Sequence, residues 1–110
     1  MHHDLLRLLN NIQEEFSKDF PRSRYIIYPK SHIDKYISKG VSYAIHLEPY
    51  SYHSNIFIPI YYIDKESAYF IARQSYDIEE KTWNGLLVNT IEDAREVILN
   101  ILDDIKATSF

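Results

Sequence analysis

The chain has no cysteine among its 110 residues, only two glycines and four prolines, and a single tryptophan. Without thiols there is no disulfide and no thiolate metal centre, a composition that fits a reducing cytoplasm. Glycine occurs only at positions 40 and 85, so no glycine-rich loop exists to cradle a nucleotide phosphate on backbone amides. The G-x-S-x-G and H-E-x-x-H patterns are absent, as is any basic stripe interleaved with aromatics, which argues against direct nucleic-acid binding. No run of about eighteen apolar residues occurs, so no membrane span is expected. The N-terminus lacks a basic segment followed by a continuous apolar stretch, so no secretory signal is expected. These absences together predict no cofactor and no metal.

What is present is tyrosine and isoleucine. There are ten tyrosines, nine of them between Tyr25 and Tyr69, and sixteen isoleucines in a chain that is 45% apolar. That content is too hydrophobic for disorder, and the length suits a single domain over residues 1–110, monomeric or dimeric. Tyrosine favours half-buried strands and contact surfaces, because its ring is apolar while its hydroxyl tolerates water.

Periodicity divides the chain into elements. After Asp4, a candidate cap, Leu5, Leu8, Leu9, Ile12 and Phe16 follow helical spacing, and Pro21 marks a stop; this predicts a helix over residues 4–18. Residues 22–28 read as a short strand closed by Pro29. Ser31 with Asp34 resembles a capping box, Ile33, Tyr36 and Ile37 form a small apolar face, and Gly40 suits a left-handed cap, predicting a short helix over 32–39. Residues 41–48 alternate cleanly, with Val41, Tyr43, Ile45 and Leu47 on one side. A loop at 49–54 leads to a strand ending at Ile63. Its Pro59 cannot donate to a ladder, which predicts an edge position or a bulge. Asp64–Lys65–Glu66 makes a hairpin turn before a strand over 68–74. Residues 75–84 are polar and read as a loop around Trp83. Asn84–Gly85 is a turn signal, with a short strand at 86–88. Thr90 and Asp93 again resemble a capping box. Ile91, Ala94, Val97, Ile98, Ile101, Leu102 and Ile105 make a broad apolar stripe for a last helix over 91–106.

The predicted fold is α+β, in the order α-β-α-β-β-β-(β)-α. An antiparallel sheet of four to five strands has the amphipathic N- and C-terminal helices on one face, and its other face is partly open to solvent or a partner.

Three sets of residues are candidate sites. On the last helix, Glu92, Asp93, Glu96, Asp103 and Asp104 fall opposite the apolar stripe. They include an i,i+4 repulsive pair and two carboxylates near the unfavourable end of the helix dipole. They form either a solvated face kept for solubility or a docking surface for a cationic partner. On the sheet, Phe57 and Tyr61 point away from the side of Ile56, Ile58 and Ile60, and Tyr50 and Tyr52 lie in the adjoining loop. A second layer buries them, or they supply contact area to a partner. Finally, His46 and Glu48 share one side of a strand, His53 follows in the next loop, and Arg73 and Tyr69 stand on the hairpin. Those residue types suffice for general acid–base cleavage of a phosphodiester, or for a divalent metal, although polar residues on a solvated strand face explain them equally well.

Charge is distributed unevenly along the chain. Residues 1–40 carry seven basic and five acidic residues, residues 41–75 two and three, and residues 76–110 three and eight, within a net charge of −4. An acidic C-terminal third attracts basic partners and repels phosphate. In size, charge and lack of catalytic motifs the chain resembles small acidic immunity proteins and antitoxins that block nuclease toxins, a resemblance of composition. It implies a cytoplasmic inhibitor that binds and neutralises a basic protein partner through Glu92, Glu96, Asp103, Tyr50, Tyr52, Phe57 and Tyr61, without catalysis. The alternatives are a small phosphodiester hydrolase using His46, Glu48, His53 and Arg73, and a small-ligand binder with a pocket between sheet and helices.

Overall fold

The computed structural model describes residues 3–50, 57–77 and 82–109. Helix α1 (His3–Phe16) leads into β1 (Arg24–Tyr28), α2 (Lys30–Ile37), β2 (Val41–Glu48) and β3 (Ile58–Ile63). A 3-10 turn (Asp64–Glu66), β4 (Ala68–Asp77), β5 (Thr82–Val88) and α3 (Ile91–Ser109) complete the order. The fold is α+β, with one open antiparallel sheet whose strands lie side by side in sequence order.

The terminal helices form where the apolar spacing requires them. Leu5, Leu8, Leu9 and Ile12 of α1 are buried together with Ala94, Ile98, Leu102 and Ile105 of α3 against Ile45, Leu47, Ile58, Ile60 and Ile71 of the sheet. Chain reversal after α1 is fixed by the Phe16 carbonyl, which accepts from the amides of Asp19 (3.0 Å) and Phe20 (2.8 Å), and the Phe20 side chain closes the core. At the start of α3 the Thr90 hydroxyl accepts the Asp93 amide at 3.1 Å, the cap expected from the sequence. Asp4, in contrast, sits inside the first turn of α1, near the positive end of the helix dipole.

Helix α2 starts two residues earlier than the sequence suggests. Its N-cap is Pro29, with no side-chain hydrogen bond, so Ser31 and Asp34 do not form a capping box. Proline holds φ at −60°, a value compatible with helix entry, and its carbonyl accepts the His32 amide at 2.9 Å. Gly40 does end this segment in the left-handed region, at φ +87°.

Two features of the sheet differ from expectation, each for a physical reason. Pro59 lies in β3, the central strand, rather than at an edge. It pairs with His46 on β2, but the ladder to β4 begins one residue later, at Ile60 opposite Ile71, so its missing N–H interrupts no paired stretch there. The irregularity occurs instead on β2, between Val41 and Tyr43. An extra residue there flips the alternation, so that Val41 leaves the face of Ile45 and Leu47 and packs with Ala44 on the opposite one.

The second difference is within residues 75–84, of which 78–81 lie outside the described residues. Instead of a loop, Tyr76 lies opposite Trp83 and Asp77 opposite Thr82, and Asn84–Gly85 falls inside β5. Thr, Trp and Tyr are strand formers that outweigh the polar composition around them. Gly85 faces Ala72, and a Cβ there would lie 2.3 Å from the Ile71 carbonyl oxygen, so the glycine serves close approach rather than a turn.

The second sheet face carries its own smaller core. Ile33 of α2 is buried with Val41, Ala44 and Tyr61, and Tyr36 places its ring 5.6 Å from that of Tyr61. The short helix thus covers one half of this face. Arg24, His46 and Glu48 stand on the other half.

Candidate functional site

The charges of α3 are sorted by side. At about 100° per residue, Glu92, Glu96 and Asp103 fall within about 40° of one another, in a line about 16 Å long. Arg95 and Lys106 lie on the flank toward α1. There Arg95 Nη2 approaches Glu15 at 3.5 Å and Lys106 Nζ approaches Asp19 at 3.0 Å. The two cations of the helix are therefore engaged by α1 and by the turn that follows it. Glu92, Glu96 and Asp103 are exposed, and none forms an ion pair with another described residue.

Around β2 a different arrangement appears. Cross-strand register sets Arg24 of β1 opposite Glu48. Arg24 Nε donates to the Glu48 carboxylate at 3.0 Å, and the Tyr50 hydroxyl donates to the same oxygen. The Glu48 side chain is only 15% exposed, and its hydrogen bonds hold the Arg24 guanidinium even more firmly protonated than usual. The guanidinium groups of Arg22 and Arg24 lie 5.8 and 5.7 Å from the centre of the Tyr50 ring, within cation–π range. His46, two residues before Glu48, meets Tyr28 in a tilted contact at 4.1 Å and stacks on Phe57 at 5.1 Å. Burial lowers its pKa to about 4, against an opposing pull from Glu48, so the imidazole is neutral at physiological pH.

Of the candidate catalytic set, the described side chains are those of His46 and Glu48, two residues apart on one side of β2. Glu48 is committed to Arg24 and Tyr50, and His46 is an aromatic wall rather than a proton donor. His53 and Tyr52 lie outside the described residues. Arg73 is on β4, two strands and about 10 Å of backbone spacing from β2, and its side chain is outside the described atoms. Among the described residues no three His, Asp or Glu side chains gather as metal ligands.

The expected contact residues are separated too. The α3 carboxylates are on the side of the sheet covered by helices α1 and α3. Tyr50 and Phe57 are on the opposite side, with Glu48 and His46. Tyr61, expected to offer contact area, is 9% exposed and packed beneath α2, where burial pushes its hydroxyl up to about 12. A partner seated on α3 does not touch these aromatics.

Sequence reasoning missed Arg24 and Arg22. The Arg24–Glu48 contact depends on the register of β1 against β2, which joins residues 24 positions apart. Alternation within either strand carries no sign of it. No protein-family model, no curated protein and no solved structure matches this chain.

Proposed function

We propose that this chain is a small acidic interaction module that binds and neutralises a basic protein partner, in the manner of an immunity protein or antitoxin acting on a nuclease toxin in the cytoplasm. The reading is supported by the aligned carboxylates of Glu92, Glu96 and Asp103, whose neighbouring cations are drawn away to Glu15 and Asp19. A row of fixed anions on a rigid helix presents negative charge along a line, as a phosphate backbone does. Placed over a basic substrate cleft, it would occlude the cleft and accelerate encounter through long-range attraction. Tyr50 and Phe57 face the other way, so the mechanism rests on α3 alone.

The test uses a co-encoded protein with a basic C-terminal domain as the partner, or that domain by itself. Surface plasmon resonance over a salt series should show association slowing as the Debye length falls from about 30 Å at 0.01 M to about 8 Å at physiological ionic strength. Replacing Glu92, Glu96 and Asp103 together by Lys should slow association more than it speeds dissociation. Association indifferent to both salt and the triple replacement would remove α3 from the mechanism. The hydrolase alternative loses support from the engagement of Glu48 and the stacking of His46. Phosphodiester cleavage by purified protein that vanished in His46→Ala would restore it.

A further inference from the structure

The break in β2 opens a cleft of about 430 Å3 that neither the acidic helix nor the Arg24–Glu48 surface uses. Its size lies at the lower end of the range of small-molecule sites. Ile27, Tyr28, Tyr43 and Tyr62 form its apolar walls, and Lys30, Ser42 and Asp64 supply its polar groups. Tyr43 and Tyr62 are stacked, with ring centres 5.3 Å apart and 20° between planes, so that their paired rings make one continuous wall. Burial raises the pKa of the Tyr43 hydroxyl, which therefore stays neutral. The Ser42 hydroxyl reaches the Tyr62 carbonyl only at 3.4 Å, long enough for a ligand group to compete.

The informative feature is the pair of charges. Lys30 opens α2 and Asp64 opens the 3-10 turn. Both line the same cleft, both are exposed, and they do not pair with each other. A cation alone would select a carboxylate and an anion alone an amine. One of each, unpaired and set over an aromatic wall, complements a molecule that carries both charges on an apolar body. We propose that this cleft binds a free α-amino acid with a large apolar side chain, its carboxylate toward Lys30, its ammonium toward Asp64 and its side chain against Tyr43 and Tyr62. Exposed ion pairs are individually weak, so selectivity comes from requiring both charges together.

Calorimetry and amide-shift titration of the full chain test this with three probes: L-phenylalanine, 3-phenylpropionate, which lacks the ammonium, and phenethylamine, which lacks the carboxylate. L-phenylalanine should bind and shift residues around Tyr43 and Tyr62, and each analogue should bind at least about tenfold more weakly, a 1.4 kcal/mol difference. Lys30→Met should weaken phenylalanine and phenylpropionate but leave phenethylamine unchanged, and Asp64→Asn should weaken phenylalanine and phenethylamine but leave phenylpropionate unchanged. Both side chains are exposed, so an unchanged urea midpoint will show that each variant is folded. Phenylalanine that fails to bind at about 10 mM, above the millimolar affinities of weak ligands, would overturn the proposal. So would analogues that bind as tightly as the amino acid, or variants with unaltered affinity.

Discussion

The two faces of the sheet are built differently, and the contrast explains what each is free to do. Among the described residues, α1 and α3 bury fifteen with the sheet on one face, nearly all aliphatic, in a single cluster. On the other, eight-residue α2 helps bury a smaller described set, Ile33, Val41, Ala44 and Tyr61, and the surrounding packing is chiefly aromatic. The first face carries the stability, because aliphatic side chains from three layers of chain are removed from water there. The second leaves half its area to a polar and aromatic surface, where Glu48, Arg24, Tyr50 and His46 satisfy one another. The acidic row belongs to the back of the stable face, where a rigid helix can hold charges in line at no cost to the core. The cleft belongs to the weaker end of the molecule, where α2 and the β2 irregularity leave a gap.

Truncating the two cores measures the contrast directly. Ile98→Ala or Leu102→Ala should cost about 2–5 kcal/mol in urea denaturation, as fully buried aliphatic truncations do. Ile33→Ala should fall at or below the bottom of that range, because fewer buried neighbours surround it. Equal costs would mean that α2 is as firmly packed as the terminal helices and that the two faces do not differ. A smaller but still clear effect is expected at the sheet edge. Gly85→Ala forces a Cβ against the Ile71 carbonyl and should destabilise by about 1–3 kcal/mol, the cost of overpacking. A neutral outcome would show that β5 is free to shift away from β4.

The stable face was also the more legible one. Leu5, Leu8, Leu9 and Ile12, like Ala94, Ile98, Leu102 and Ile105, announce themselves by spacing alone, and Thr90 announces the start of α3 as a cap. The second face was hidden because its determinants are not local. The extra residue between Val41 and Tyr43 reverses a pattern that reads as perfect alternation, and only the pairing with Ile63 and Tyr62 reveals it. Pro59 argued for an edge because its missing donor matters only if a neighbour needs it, and the start of the β4 ladder decides that. Among the candidate sites, the carboxylates of α3 were readable from helical geometry. Their separation from Tyr50, Phe57 and Tyr61 was not, since which face a helix covers depends on the whole topology. Arg24 meeting Glu48 likewise needed the β1–β2 register.

Acid should affect the second face through His46. Its folded pKa, about 4, lies below the 6.5 of a free histidine, so between those values the unfolded chain binds the extra proton. The stability held by neutral His46 is complete above pH 6.5 and is lost progressively as pH falls toward 4. Partial exposure of the ring discounts the effect to about 1–2 kcal/mol. His46→Gln should remove that component from the pH dependence of the urea midpoint. A His46→Gln profile parallel to wild type from pH 7 to pH 4.5 would show that the imidazole is not desolvated in its stack.

The smallest effect bears on whether the acidic row is kept for stability or for contact. Glu96 stands one turn after Glu92, where like charges repel by about 0.2–0.5 kcal/mol, whereas Asp103 is six residues from the end of α3, outside the last turn where the dipole acts. Neither side chain finds a cation among the described residues, because Arg95 and Lys106 are turned to Glu15 and Asp19. Glu96→Gln should therefore raise stability slightly, by about 0.2–0.5 kcal/mol at low salt, with a gain that shrinks as salt screens the repulsion, and Asp103→Asn should leave stability unchanged. The same two replacements should slow association with a basic partner. A helix that becomes more stable as it binds less well is one whose charges are retained for the partner. If both replacements instead lower the urea midpoint, the row stabilises the fold, and the contrast between a load-carrying inner side of α3 and a contact-making outer side fails.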